Sequence, residues 1–390
     1  MSADNLQTLK EYYRQFLLDN VIPFWLANGI DREYGGILTC LDRQGRVYNT
    51  DKSVWFQGRA CWSFSRLYNT VDRRPEWLEA AKSAYQFLVN HCFDSDGRMF
   101  FTVTRDGRPL QKRRYYYSET FAIIGLAEYA RASGDQHALE KARQVYEMVL
   151  DFYRNPWKLP AKINPATRVT KALAVPMILL ATTQTLREHD PDPKYDTYAH
   201  EFATTILKDF FKPDEKALLE NVGPHGERLD SPQGRCVNPG HSIETAWFLM
   251  HEGVHRHDDE LIQKALMILE YSLELGWDET YGGLLYFVDI EGKPPEQLEW
   301  DMKLWWPHTE ALYALLLAYH LTKDSRYLTW HEKVHDYSFS HFSDSEWGEW
   351  YGYLHRDGTV SNTLKGSIWK GPFHLPRALL FCWQLLEKMK

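Results

Sequence analysis

The chain has 390 residues, 44% hydrophobic and 25% charged, which is a globular composition with length for one large core or two modest ones and excludes a disordered polypeptide. Its net charge is -8 with acidic and basic residues interspersed, so no continuous basic stripe is offered to a phosphate backbone and nucleic acid is not an expected partner. Aromatic residues make up 15%, a content that suits pockets stacking on sugar rings or other flat apolar faces.

From the N-terminus, residues 1–20 read as a charged helix and not as a basic segment followed by an apolar run, so no leader peptide is expected. A strand, a polar glycine turn and a return strand then recur, beginning at residues 33, 95, 214, 279 and 346. The second interval is close to twice the others, which places a missing or degenerate copy near residues 155–167. Helical periodicity fills the gaps, as in Leu139, Ala142, Val145, Tyr146, Val149 and Phe152. Each hairpin is preceded by one helix, at roughly 5–27, 75–92, 136–154, 194–211, 258–275 and 325–341. A second helix follows it, at roughly 54–70, 118–133, 171–187, 239–255, 305–322 and 372–388. The second set is the more apolar, and a helix apolar on most sides is buried on most sides. Six helix pairs with one buried class predict an all-α (α/α)6 barrel with short β-hairpins at one end, a single domain over residues 1–390. An open solenoid is the competing architecture, but its last helix would show a polar outer face, and the C-terminal helix here is rich in Leu and Phe.

The longest apolar run, 172–181, is too short to cross a bilayer. Cys40, Cys61, Cys92, Cys236 and Cys382 are odd in number, far apart and without a C-x-x-C pair, so reduced thiols and no metal site are expected, in a cytoplasmic protein.

In a closed barrel all six inner N-termini gather at the hairpin end. The most informative is Asn238-Pro239-Gly240-His241-Ser242-Ile243-Glu244, where Asn238 reads as N-cap and Pro239 as the first helical residue. His241 and Glu244 then share a face and can reach one point beyond the helix end. The helix dipole is expected to keep His241 neutral and able to accept a proton. His374 and Arg377 repeat the three-residue spacing at the last inner helix, and the prolines beside them, Pro372 and Pro376, fall within its first turn on this reading. Two histidines on separate helices suggest a base on one face of a substrate and an acid on the other. Arg59 and Lys303 read either as rim salt bridges or as ligand-binding cations, and Trp306 either as packing or as a sugar platform. Glu310 lies two residues from His308, which a helix turns to a different side, so His308 reads as structural.

These residues resemble the N-acylglucosamine 2-epimerases, a family that also takes in the animal renin-binding protein. The resemblance runs from about Phe16 to Trp383. It is carried by Gly35-Gly36-Ile37-Leu38-Thr39-Cys40-Leu41, Arg59 with Trp62, 171–177, Asn238-Pro239-Gly240-His241 with Glu244, 297–308 and Phe373-His374-Leu375-Pro376-Arg377. It implies the (α/α)6 barrel, catalytic roles for His241 and His374, and sugar binding by Arg59, Glu244 and Glu310, with Lys303, Trp306 and Arg377 as further substrate-binding candidates. Members interconvert N-acetylglucosamine and N-acetylmannosamine, and some are activated by ATP that is bound and not consumed near a Gly-rich loop after the third outer helix. Here that segment, 154–168, has no glycine but keeps basic residues. No cofactor is required for the chemistry, and a homodimer is the expected assembly.

The expected reaction removes the C2 proton of an open-chain sugar. It passes through an enediolate whose O1 Arg59 stabilises, and a proton returns to the opposite face, with Glu244 behind His241. Epimerisation or isomerisation of cellobiose or mannose is the near alternative. An inverting glycosidase would need two carboxylates ~6.5–9.5 Å apart, and a pure binding protein would not need histidine at both rim positions.

Overall fold

The computed structural model describes residues 3–389, in which twelve long helices alternate between an outer and an inner ring. The outer helices are α1 (3–28, with a π turn at Phe16–Val21), α3 (Pro75–His91), α5 (Gln136–Arg154), α7 (194–210), α9 (Asp259–Gly276) and α11 (Ser325–His341). The inner helices are α2 (Val54–Thr70), α4 (Tyr117–Ser133), α6 (Ala174–His189), α8 (Pro239–Arg256), α10 (Trp305–Thr322) and α12 (His374–Lys388). All six expected pairs are present. The starts of α6 and α12 move inward by two or three residues: Lys171–Ala172 forms a strand, and Pro372 lies before the helix while Pro376 is in its first turn.

The two rings follow from where apolar side chains fall. In α5, Leu139, Ala142, Val145, Tyr146 and Val149 are buried on one stripe, and the Asp135 carboxylate caps the helix by accepting the His137 amide at 2.9 Å. In α10 every residue from Trp305 to Ala318 is buried, so no face remains for solvent and the helix can only stand inside. Inner helices also need close approach. A Cβ on Gly58 would stand 2.4 Å from the Phe121 carbonyl oxygen, and one on Gly125 would stand 2.4 Å from that of Gly58, so α2 and α4 touch through two glycines.

The hairpins collect at the N-terminal ends of the inner helices. Each consists of two successive turns, as in the bridges Ile30 to Ile37 and Leu41 to Val47, or Ser343 to Trp350 and Leu354 to Val360. Short antiparallel ladders tie the strand before an inner helix to the next hairpin: Lys52–Ser53 with Thr102–Val103, Lys171–Ala172 with Asn221–Val222, Cys236–Val237 with Val288–Asp289, and Lys303–Leu304 with Tyr353–Leu354. The stretch expected to lack a hairpin holds a 3-10 turn at Pro156–Lys158 and a second turn in which the Thr167 and Arg168 amides donate to the Asn164 carbonyl, before Lys171–Ala172.

A charge triad, a buried Asp–Lys pair joined by a partly exposed Arg, recurs along these seams. Asp31 meets Lys52 at 2.9 Å and Arg105 at 3.0 Å; Asp278 meets Lys303 and Arg356, each at 2.9 Å. Asp344 of the last hairpin meets Lys365 at 3.0 Å and Arg43 of the first at 2.8 Å, which closes the ring. Such groups specify register more than they add stability, since the ions must be desolvated. On the outside, the Tyr13 hydroxyl of α1 bonds His331 at 3.0 Å and His335 at 2.9 Å on α11, so first and last helices meet there too.

Candidate active site

A cavity of about 1290 Å³ follows the barrel axis, and each inner helix lends it a stripe of side chains. On α2 these are Trp55, Arg59, Trp62 and Arg66, spaced four, three and four apart on one face. At the hairpin end the cavity meets the inner N-termini, whose amide dipoles favour negative charge.

Asn238 caps α8 as expected, its side-chain oxygen accepting the His241 amide at 3.0 Å, and this fixes His241 in the first turn. The imidazole does not use Glu244. Its Nδ1 lies 3.0 and 3.2 Å from the carboxylate oxygens of Glu220, on the hairpin before α8. Glu244 turns instead to Arg377, 2.5 Å away on α12. The expected His241–Glu244 partnership is therefore replaced by His241–Glu220, because the hairpin strand brings a carboxylate closer to Nδ1 than the same helix can. The expectation of a neutral His241 falls with it. Burial, the largest influence, disfavours the imidazolium, but the Glu220 carboxylate, by charge and hydrogen bond and with help from Glu244, outweighs it and raises the ring above its ordinary value.

His374 has the same construction and the opposite electrostatics. Its Nδ1–H donates to Glu310 at 2.7 Å, which leaves the Nε2 lone pair free. Burial first, then the cations Arg59 and Arg377, hold it well below the ordinary histidine value. Glu310 is fixed by Trp247, whose indole N–H donates to it at 2.9 Å, and by Arg377 at 2.7 Å. Both imidazoles keep Nε2 without a protein partner among the described residues and line the cavity. Trp306 lies between them, its ring centroid 5.2 Å from His241 and 5.7 Å from His374. One ring is lowered and the other raised, on different helices, a division that suits a base and an acid.

Arg59 stands 3.8 Å over the Phe121 ring and 4.8 Å from that of Phe373, with Nε buried and unpartnered. Burial brings it down to about 9, with Glu244 pulling up and Arg377 down, so it stays charged near neutrality and has no bound carboxylate. It is a cation available to an anionic oxygen in the cavity. Glu244, Glu310 and His374 bring ligand atoms within 4.8 Å of one another, a grouping that resembles a metal site, but the Arg377 guanidinium already stands against both carboxylates.

Two further residues are structural. Lys303 is fully buried, donating to Asp278 and to the carbonyls of Gly282 and Arg356, so its ammonium belongs to the seam and not to the cavity. His308 donates from Nδ1 to the Leu304 carbonyl at 2.6 Å and accepts the Leu284 amide at 2.9 Å, and burial brings it down to about 3. The residues that sequence reasoning missed are Glu220 as a partner and Trp247 as a support. Neither has a periodic spacing to the histidine it serves, so pattern alone could not link them.

Residues 35–375 match the family model of N-acylglucosamine 2-epimerase (GlcNAc 2-epimerase). The chain is 39% identical over 382 residues to an N-acylglucosamine 2-epimerase from Bos taurus, covering 95% of this chain and 90% of that one. Among solved structures it is similar to a cellobiose 2-epimerase from Bacillus thermoamylovorans B4167, with TM-score 0.85 and 24% identity over 98% of this chain and all of the other. A D-mannose isomerase superimposes with TM-score 0.82 at 18% identity, over 97% and 98% of the two chains. The fold, the paired histidines and the match across most of its length agree: the chain belongs to the N-acylglucosamine 2-epimerase family.

Proposed function

We propose that this protein is an isomerase that interconverts N-acetylglucosamine and N-acetylmannosamine at C2 of the open-chain sugar. The observation that carries this reading is the pair of imidazoles on separate inner helices, each held through Nδ1 by its own glutamate, beside an unpaired buried arginine. The C2 proton is acidic only when C1 is a free aldehyde. Neutral His374 takes it through Nε2, the enediolate oxygen at C1 rests against Arg59, and protonated His241 returns a proton to the other face. The six helix N-termini favour the same anion. Product released in this state leaves His374 charged and His241 neutral, and exchange with water restores the starting pair.

The experiment is proton NMR of product formed from N-acetylmannosamine in deuterated buffer at low conversion. The expected result is deuterium at C2 in a single turnover, since the imidazole that donates has exchanged with solvent beforehand. Product that kept its original hydrogen would rule the mechanism out. Running mannose and cellobiose in parallel decides between the N-acyl sugar and the substrates named for the structural relatives.

A cytoplasmic setting and a homodimer belong to the same reading. No helix among the described residues is long and apolar enough to cross a membrane, and the five cysteines are buried and free. Light scattering on the purified protein tests the dimer. A nucleotide activator is not built into the mechanism. Segment 154–168 offers no glycine amides to phosphate, its Lys158 is already paired with Asp151, and nearby Lys112 is paired with Asp94 and Asp96.

A further inference from the structure

The axial cavity extends well past the catalytic groups. Its lining runs from His374 in the first turn of α12 to Lys388 in the last, a rise of about 21 Å. Its volume of about 1290 Å³ exceeds the ~300–1,000 Å³ that ordinarily holds a drug-sized ligand. A collar of rings stands at mid-height. Trp62, Trp247, Tyr313 and Phe381 each come from the middle of an inner helix, with centroids 5.3 Å apart for Trp247 and Tyr313, 5.1 Å for Tyr313 and Phe381 and 6.0 Å for Trp62 and Phe381. Arg59 and both catalytic imidazoles lie on the hairpin side of this collar. The far half, at the C-terminal ends of the inner helices, reaches solvent by its own mouth, where the lining side chains of Glu188 and His255 are 50% and 46% exposed.

The ions of the far half are already matched. Arg66 meets Glu188 at 2.6 Å and Glu128 at 3.2 Å, and Arg187 meets Asp196 and Glu252, each at 2.9 Å. Lys388 stands at the mouth as a third cation. A ligand with net charge finds one attractive partner and a repulsive one beside it: an anion meets Glu188, and a cation meets Arg66, Arg187 and Lys388. A hydroxyl has no such conflict, because it donates to a carboxylate oxygen and accepts from a guanidinium or ammonium. Uncharged groups complete the lining. Gln184 and Gln384 supply amides, and the Nε2 of His251 lies 2.7 Å from the Tyr313 hydroxyl. Burial first, then Arg66, Lys388 and Arg377, bring His251 down to about 4, so its ring is neutral near pH 7.

We propose that the far half of the barrel is a second binding site, for a neutral polyhydroxylated ligand of hexose size, and that it holds a second sugar while the first occupies the hairpin end. His251 lies about 15 Å along α8 from His241, so a monosaccharide held between the catalytic imidazoles leaves the far half open.

The test is equilibrium dialysis of the intact protein against radiolabelled N-acetylmannosamine, with turnover of the same sugar measured beside it. Wild-type protein is expected to bind two molecules per chain. Gln384→Trp, which puts an indole into the far half and alters no group of the reaction, is expected to bind one and to keep kcat/KM within a few-fold. His255→Trp, at the exposed far mouth, is expected to do the same. Three acyclic polyols then read the charge preference: neutral sorbitol, cationic N-methylglucamine and anionic gluconate. Sorbitol is expected to bind the wild type and to lose that binding in both variants, and the two ions are expected to show no binding that either variant removes. One N-acetylmannosamine per wild-type chain, or two that persist in both variants, overturns the second site. Variant-sensitive binding of gluconate or N-methylglucamine tighter than that of sorbitol overturns its neutral chemistry. Each of these results leaves the epimerase reading standing while N-acetylmannosamine turns over; absence of turnover overturns that reading and leaves the count of bound molecules to decide the second site.

Discussion

Replacing Glu220 by Gln removes the charge that holds His241 in its acid form and leaves side-chain volume nearly unchanged. The wild-type carboxylate lies 3.0 and 3.2 Å from Nδ1, and the Glu220 side chain is 12% exposed, so solvent screens the pair only partly. A hydrogen bond to a charged group contributes about 1.5–3 kcal/mol. Its loss brings the imidazole down from the raised value that the carboxylate gives it, because the burial that disfavours the imidazolium is then less opposed. His241 is then less protonated near neutrality than in the wild type. Because His241 acts as the acid, the protonated form is what the reaction needs, and activity is lost as pH rises through its pKa. The variant should therefore show kcat reduced about tenfold or more near neutrality, as loss of a charged hydrogen bond implies, with the alkaline limb of the pH profile moved to lower pH. The assay is kcat against pH from 5 to 9, followed by NMR of the two epimers. A variant within threefold of wild type, with an unmoved alkaline limb, would refute the assignment of Glu220 as the partner of His241.

His241→Asn and His374→Asn should each lower epimerisation by at least about 10³-fold while the thermal midpoint changes little, because an acid or base is lost without core volume; activity within a few-fold of wild type would show the pair misassigned. Asp344→Asn leaves Lys365 buried without its counter-ion and should destabilise the protein by about 3–5 kcal/mol in denaturant unfolding, whereas Arg43→Ala, at a half-exposed position, should cost about 1 kcal/mol or less. Stability should also fall steeply with acid. Burial holds His308 and His331 down at about 3 and His335 at about 4, so each is neutral when folded and takes up a proton on unfolding below its ordinary value of 6.5. That contribution is fully present above about pH 6.5 and is lost as pH falls towards 3, and a thermal midpoint flat from pH 7 to pH 4 would contradict it.

The barrel was legible in the chain because it is written in local terms. Periodicity marked each helix, the contrast between the one-sided stripe of α5 and the all-round burial of α10 assigned the rings, and recurring glycine turns counted the pairs. The Asn238 cap and His241 position followed from the same short-range rules. What no spacing could reveal was which charge meets which. Glu220 reaches His241 from another element, Glu244 crosses to Arg377, and Lys303 is drawn into a seam with Asp278. Those pairings decide protonation, because the energy of a charge depends on its burial and on neighbours within a few ångströms, whatever their distance along the chain. A helix dipole read from sequence predicted a neutral His241; a carboxylate delivered by the fold reversed it.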